Sequence, residues 1–287
     1  MATIIDGKRI SGEIRAELAE KNNQFKEKYG TVPGLAVIIV GEDPASRVYV
    51  RNKHKACAEV GFYSEVHELS ADATEEQVIG LIDRLNDQSS IHGILVQLPL
   101  PKHLDEQKIL LRIKPEKDVD AFHPYNVGKI MIGDYNVLPC TPAGVMQLLA
   151  RSGVSASGKH CVVIGRSNIV GKPMAMLLLH DNGTVTVCHS RTPDLKAQTL
   201  QADILVSAVG RAGFVTADMV KPGAVVIDVG INRNAEGKLT GDVDFASVEP
   251  IASYITPVPG GVGPMTIAML MKNTLTAAKR AVEGDIE

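Results

Sequence analysis

His160-Cys-Val-Val-Ile-Gly165-Arg-Ser-Asn-Ile-Val-Gly171-Lys-Pro-Met174 is a β-branched run that ends on glycine and leads into an apolar stretch opened by a second glycine and a proline. A glycine turn between a strand and a helix lets backbone N–H groups and the helix N-terminus face a pyrophosphate. The agreement with G-x-G-x-x-G is incomplete, because Ser167 stands where the second glycine belongs, so a tight strand-to-helix connection is the alternative reading. Outward from this segment, strands are expected at 184–189, 203–208 and 224–229, with a helix over 171–181. Toward the amino terminus, Leu35–Val40 and Gly93–Gln97 read as buried strands, Phe62–Leu69 as a third, and helices lie near 10–29, 44–60 and 74–87. Short apolar runs alternating with longer helical patterns predict an α/β protein built on parallel sheets.

Two domains are expected from the length of 287 residues. Residues 121–141 lack strong periodicity and read as a linker. The last helix, from about Thr266, puts Ile267, Leu270, Met271, Thr274, Leu275 and Ala278 on one face and returns to the first domain. The expected division is 1–121 with 268–287, against 122–267 as linker and dinucleotide-binding domain.

Composition narrows the function. Lys+Arg 30 against Asp+Glu 33 leaves a net charge of −3, which disfavours a general nucleic-acid binder. Trp 0 and 4% aromatics leave no stacking platform for single strands. No apolar run approaches the ~20 residues of a membrane span, and the start MATIIDGKRI does not read as a signal peptide, so a cytoplasmic location is expected. Cys57, Cys140, Cys161 and Cys188 form no C-x-x-C pair and read as buried free thiols; no metal-ligand cluster is visible.

The second strand of the dinucleotide unit ends at Cys188-His189-Ser190-Arg191-Thr192. An NAD site usually carries an acid near this point for the ribose hydroxyls. Ser190 and Arg191 stand there instead, and Arg166 lies in the preceding turn. Two arginines and a serine suit a 2′-phosphate, since arginine pairs with phosphate in a bidentate way. The pattern favours NADP over NAD; two solvated surface arginines are the alternative.

Asp43-Pro44 reads as a helix start and Gly61 as its stop. With Arg47 set at zero and 100° per residue, Ala45, Val48, Tyr49, Asn52, Ala56 and Val60 are expected inward, between about 100° and 220°. Lys53 falls at about 240°, beside Tyr49 and Cys57 on the inward side. Partial desolvation there would favour the neutral amine and suit the side chain to proton transfer, unless the ammonium snorkels to water. Gln97 ends a buried strand ahead of Leu98-Pro-Leu-Pro101, where ligand crevices of open sheets lie. Asp120, in Lys117-Asp-Val-Asp120, offers a carboxylate to a cationic or amide-rich heterocycle, or else belongs to a solvated turn. Thr256-Pro-Val-Pro-Gly-Gly-Val-Gly-Pro-Met-Thr266 is a rigid glycine–proline turn ahead of a helix.

Together these segments closely resemble the bifunctional methylenetetrahydrofolate dehydrogenase/methenyltetrahydrofolate cyclohydrolase family over nearly the whole chain. The most specific parts are Glu75–Leu100, ending GILVQLPL, and PGGVGPMTI at 259–267; Tyr49-x-x-x-Lys53, KDVD at 117–120 and GRSNIVGKP at 165–173 agree as well. Ala121 departs from the family, which usually has glycine there. The resemblance implies a folate/catalytic domain, a Rossmann-type NADP domain, and a folate site between them. It implies NADP-dependent oxidation of 5,10-methylenetetrahydrofolate, then hydrolysis of the methenyl product to 10-formyltetrahydrofolate. By the resemblance, Lys53 carries the proton, Tyr49 stacks on the folate, Gln97 tunes Lys53 and Asp120 grips the pterin. Pro259, Gly260 and Gly261 line the folate pocket, and Gly165, Arg166, Ser167, Ser190 and Ile231 contact NADP. A homodimer is implied too, with no nucleic-acid or membrane partner. A dehydrogenase for another small substrate, or a non-catalytic NADP or folate sensor, are the competing readings; an inward Lys53 argues against the sensor.

Overall fold

The computed structural model describes residues 1–234 and 236–284, the side chain of Ala45 excepted. Ala45 of the expected inward face, and residues 285–287 of the expected first domain, lie outside the described residues. The first half of the chain runs β1 (Thr3–Ile4), α1 (Gly7–Tyr29), β2 (Gly34–Val40), α2 (Pro44–Val60), β3 (Tyr63–Leu69), α3 (Glu75–Asp87), β4 (Gly93–Val96), α4 (Glu106–Arg112) and α5 (Pro124–Ile132). It continues as α6 (Cys140–Arg151), β5 (His160–Ile164), α7 (Gly171–His180), β6 (Thr184–Cys188), α8 (Leu195–Thr199), β7 (Ile204–Ser207) and β8 (Val225–Asp228). The remainder is β9 (Asn232–Arg233), β10 (Leu239–Thr240), α9 (Phe245–Val248), β11 (Tyr254–Ile255) and α10 (Val262–Glu283). No helix among the described residues is long and apolar enough to cross a membrane.

Two compact units emerge, Met1–Gly12 with Pro139–Thr266 and Glu13–Leu138 with Ile267–Glu287. The second unit holds a parallel sheet in the order β3-β2-β4. All seven residues of β2 are buried, as a strand covered on both faces requires. The core on one side joins Ile38 and Val40 to Val78, Ile82 and Leu85 of α3 and Ile109 of α4. Because β3 and β4 flank β2 on opposite sides, the winding reverses at β2, and the loops beyond Val40 and Val96 share one edge of the sheet.

The first unit holds six strands in the order β1-β11-β8-β7-β5-β6, all parallel. Here the reversal lies between β5 and β7, the neighbours that β6 separates in sequence.

The observed units differ from the expected domain limits at both ends of the first segment. Thr3 and Ile4 pair with Tyr254 and Ile255, so the amino terminus completes the six-stranded sheet. The stretch expected as a linker contains α5, started by Pro124, with His123 Nδ1 accepting from Tyr125 N at 3.1 Å, and closed by Gly133 at φ 81°. Asn126 Nδ2 donates to Pro115 O and to Asp118 Oδ2, each at 2.9 Å, and Asn273 Nδ2 ties Val119 O at 2.8 Å to Leu138 O at 2.7 Å. These bonds group residues 122–138 with the three-stranded unit. The last helix starts four residues before Thr266 and is buried nearly all round: among 268–275 only Lys272 is exposed.

Ala121 occupies left-handed backbone at φ 57° and is fully buried. That conformation crowds Cβ against the backbone, which explains why glycine is the residue expected at this turn. A β-branched side chain should fit poorly: Ala121→Val is expected to lower stability by about 2 kcal/mol or more in urea unfolding. Ala121→Gly should stay within about 1 kcal/mol of the parent, because relief of strain is offset by a more flexible unfolded chain. Wild-type stability in Ala121→Val would rule out this backbone geometry.

Candidate active site

The start of α2 is set by Asp43, whose side chain accepts from Ser46 N at 2.7 Å, and its end by Gly61 at φ 75°. Its buried stripe is Ser46, Val50, Lys53, Ala56, Cys57 and Val60. On the same wheel this stripe is centred near 250°, well beyond the expected arc. Val48 and Asn52, expected inward, are exposed, and Tyr49 is half-buried. The arc was misplaced because two of the six inward positions, Ser46 and Lys53, are polar and blur the apolar pattern. Lys53, expected on the inward side, lies within the stripe and is only 8% exposed. Tyr49, one turn earlier, shares its side of the helix.

Lys53 Nζ donates to Gln97 Oε1 at 2.9 Å. Gln97 continues β4: its N–H donates to Ile38 O at 2.8 Å. Its Nε2 donates to Leu98 O at 2.7 Å, so the side-chain amide has a set orientation and presents its carbonyl oxygen to the lysine. Gln97 is a neutral acceptor, so this bond sets no carboxylate against the ammonium.

The four residues of KDVD divide sharply. Lys117 Nζ donates to Leu85 O at 3.0 Å and Gln88 O at 2.8 Å at the end of α3, and burial holds its pKa below the usual lysine range. Asp118 accepts from His123 N at 2.8 Å and from Asn126; its burial pushes the carboxyl up despite those donors. Val119 is fully buried beneath Gly93, where a Cβ would come within 2.6 Å of its Cγ1. Asp120 is half-buried, and its carboxylate accepts no hydrogen bond among the described residues. A parallel bridge sets Ile94 against Asp118, so Asp120 is level with Val96, one residue before Gln97. Tyr49, Lys53, Gln97 and Asp120 thus belong to one unit, with Gln97 and Asp120 at the edge where its winding reverses.

Pro259, Gly260 and Gly261 belong to the other unit. Gly260 has φ 108°, and its carbonyl accepts from Lys8 N at 2.9 Å. Pro259 is exposed and Gly260 half-buried, whereas Gly261 is buried where a Cβ would lie 2.6 Å from Pro257 O. Gly261 therefore lets the turn close, and Pro259 and Gly260 present its surface.

At the dinucleotide crevice, Gly165 has φ 129°, and a Cβ there would meet Ala208 O at 2.5 Å. A Cβ on Gly171 would strike Gly165 O at 2.3 Å, so the turn and the start of α7 touch backbone to backbone. Ser167, the departure from the glycine pattern, caps α7: its Oγ accepts from Val170 N at 3.1 Å and Gly171 N at 3.3 Å. Ile164 pairs with Cys188, so Arg166 and the 189–192 turn leave the sheet side by side. That turn is closed by His189 N donating to Thr192 Oγ1 at 2.9 Å and Arg191 N donating to His189 Nδ1 at 3.1 Å. Arg166, Ser190 and Arg191 are exposed, and among the described residues no acid holds either guanidinium. Ile231 is 46% exposed beyond the end of β8. A close-approach glycine turn, a helix N-terminus and two available guanidinia fit a dinucleotide bearing an extra phosphate.

Sequence reasoning missed the polar residues that support this edge. Thr256 Oγ1 accepts from Asp228 N at 2.8 Å. Asp228 and Asp242 are buried acids, and burial pushes Asp228 up to about 6. The available signal was acids beside glycines, in Asp228-Val-Gly230 and Gly241-Asp242. The four cysteines are buried and free, and burial raises the Cys57 and Cys161 thiols to about 11.

Family comparison agrees with this division. The tetrahydrofolate dehydrogenase/cyclohydrolase catalytic-domain family matches residues 5–120, and the NAD(P)-binding domain of the same family matches 139–282. The bifunctional protein FolD of Moorella thermoacetica is 61% identical over 97% of this chain and 99% of its own. The crystal structure of the Campylobacter jejuni bifunctional FolD methylenetetrahydrofolate dehydrogenase/cyclohydrolase superposes with TM-score 0.95 at 52% identity, covering 98% of this chain and 99% of that one. The Trypanosoma brucei enzyme, solved with NADP cofactor and an inhibitor, gives TM-score 0.95 at 45% identity over 99% of each chain.

Replacing Arg166 and Arg191 together by Ala should weaken NADP binding by about 10²-fold, since a hydrogen bond to a charged group is worth roughly 1.5–3 kcal/mol. NAD binding should change by less than about threefold, because NAD lacks the 2′-phosphate those charges pair with. Titration calorimetry with both cofactors checks this; equal losses would refute the 2′-phosphate assignment.

Proposed function

The chain belongs to the tetrahydrofolate dehydrogenase/cyclohydrolase family, and we propose that its two activities are divided between two sets of side chains. It oxidises 5,10-methylenetetrahydrofolate to the methenyl form and hydrolyses that product to 10-formyltetrahydrofolate, steps of one-carbon metabolism. NADP, when bound, accepts the hydride from the methylene bridge. For that step the chain supplies orientation: Gly165 leaves room for the pyrophosphate, Ser167 holds the start of α7, Arg166, Ser190 and Arg191 bind the 2′-phosphate, and Ile231 contacts the cofactor.

Ring opening of the methenyl cation by water needs a proton to be taken from the attacking water and one delivered to the departing ring nitrogen. Lys53 performs this transfer. The observation that carries the assignment is its Nζ, buried yet bonded at 2.9 Å to the oriented amide of Gln97. Tyr49, on the same side of α2, stacks on the folate. Asp120, whose carboxylate accepts no hydrogen bond among the described residues, accepts from the N–H groups of the pterin, and Pro259, Gly260 and Gly261 contact the folate, as the family resemblance implies. Tyr49, Lys53, Gln97 and Asp120 belong to the catalytic domain, and Gly165, Arg166, Ser167, Ser190, Arg191 and Ile231 to the cofactor domain. A homodimer, which rests on the family resemblance, completes the proposal, together with a cytoplasmic location and no nucleic-acid or membrane partner, which rest on the charge balance and apolar pattern of the sequence.

Two variants assayed in parallel test the division. Lys53→Met should hydrolyse methenyltetrahydrofolate about 10²–10⁴-fold more slowly, the usual worth of assisted proton transfer. Ser167→Trp, which puts bulk at the pyrophosphate turn, should lose NADPH formation while hydrolysing methenyltetrahydrofolate without NADP at close to the parent rate. Circular dichroism establishes that both are folded. A Lys53→Met protein with wild-type hydrolysis, or a folded Ser167→Trp protein that loses both activities together, would overturn the assignment.

A further inference from the structure

Asp242 is fully buried beyond β10 and takes no part in the chemistry above. Its Oδ2 accepts from Val209 N at 2.7 Å, Gly210 N at 3.3 Å and Ser207 Oγ at 3.2 Å. Its Oδ1 accepts from Arg211 N and from Asn232 Nδ2, each at 2.9 Å. One carboxylate thus gathers five donors from the end of β7 with its following loop and from the segment after β8. Asp228 locks Asp242 in turn, accepting from Asp242 N and Gly230 N through Oδ1 and from Val243 N through Oδ2, each at 2.9 Å. Only glycine fits around the pair: a Cβ on Gly230 would lie 2.2 Å from Asp242 Oδ1, and one on Gly241 1.8 Å from Asp228 Oδ2.

The two loops lie where a ligand crevice is expected. The winding of the six-stranded sheet reverses between β5 and β7, and open α/β sheets bind ligands beyond the strand ends at that point. The Gly165 turn is one wall. The loop after β7 is the other, close enough that a Cβ on Gly165 would meet Ala208 O at 2.5 Å. Ile231 stands next to Asn232, on the second tethered segment. We propose that Asp242 is a positioning residue for the cofactor, an internal anion that clamps the loops after β7 and β8 into the shape the dinucleotide crevice needs. This rests on the reading of that crevice as the NADP site.

A carboxylate is required because it is acceptor-only on both oxygens. In Asp242→Asn, the Ser207 hydroxyl and the Asn232 amide can turn to accept, but an NH₂ group must still face the N–H groups of Val209 and Gly210 or that of Arg211, so the loop after β7 loses part of its hold. NADP binding by calorimetry and the KM values for NADP and methylenetetrahydrofolate measure the consequence. For Asp242→Asn, both the NADP Kd and the NADP KM are expected to rise by about tenfold or more, with the folate KM within about twofold of the parent. Asn232→Ala keeps the carboxylate and cuts only the tie to the segment after β8; a smaller rise in NADP Kd, of about threefold, is expected. A folded Asp242→Asn protein with unchanged NADP affinity overturns the clamp, as does an equal rise in both KM values, which marks general loosening. If Asp242→Asn fails to fold, Asn232→Ala decides, and unchanged NADP affinity there overturns the clamp. Failure of the parent protein itself to bind NADP would instead remove the cofactor reading on which the clamp rests.

Discussion

The hydrogen bond from Lys53 to Gln97 joins a buried ammonium to the end of a strand, and it constrains much of the unit around it. A lysine can face inward at so little exposure only if an acceptor meets it. The acceptor, Gln97, directly follows β4, which runs parallel to β2. The pairing of Ile38 with Val96, and the bond from Gln97 N to Ile38 O, fix Gln97 at that strand end. The full burial of β2 then follows, because both its faces and both its edges are occupied.

The six-stranded unit obeys the same constraint with different chemistry. Its reversal brings the Gly165 turn and the loop after β7 together, and backbone approach replaces side-chain bonding: glycines at 165 and 171 permit contacts that any Cβ would block. A surface for a dinucleotide needs many backbone groups in set positions, and internal carboxylates hold them. Asp228 and Asp242 accept from the backbone N–H groups of Val209, Gly210, Arg211, Gly230, Asp242 and Val243 there.

Much of this was legible in the chain. Val- and Ile-rich runs between glycines marked the strands from β2 to β8, and Asp43-Pro44 with Gly61 bounded α2 to the residue. α6 was missed, because Pro142 interrupts a stretch buried on several sides; α5 was read as linker although Pro124 and Gly133 bracket it. The two-residue strands β1 and β11 have no periodicity to detect, and their pairing joins residues about 250 positions apart. At the site, Gln97 was read from its place at a strand end, Lys53 from its angle on the helix wheel and Asp120 from the acidic loop Lys117–Asp120. The inward arc of α2 was misplaced since polar residues occupy its centre, and Asp242 was invisible because its importance lies in which loops it gathers rather than in a local motif.

In the proposed mechanism, a buried lysine bonded to a neutral amide does the proton transfer of ring opening. The most direct measurement is the pH–rate profile for hydrolysis of methenyltetrahydrofolate by the parent protein and by Gln97→Glu. A carboxylate at that position favours the charged ammonium, so the apparent pKa governing the rate should move to higher pH by about one unit or more. A folded Gln97→Glu protein whose profile overlays that of the parent would contradict the account.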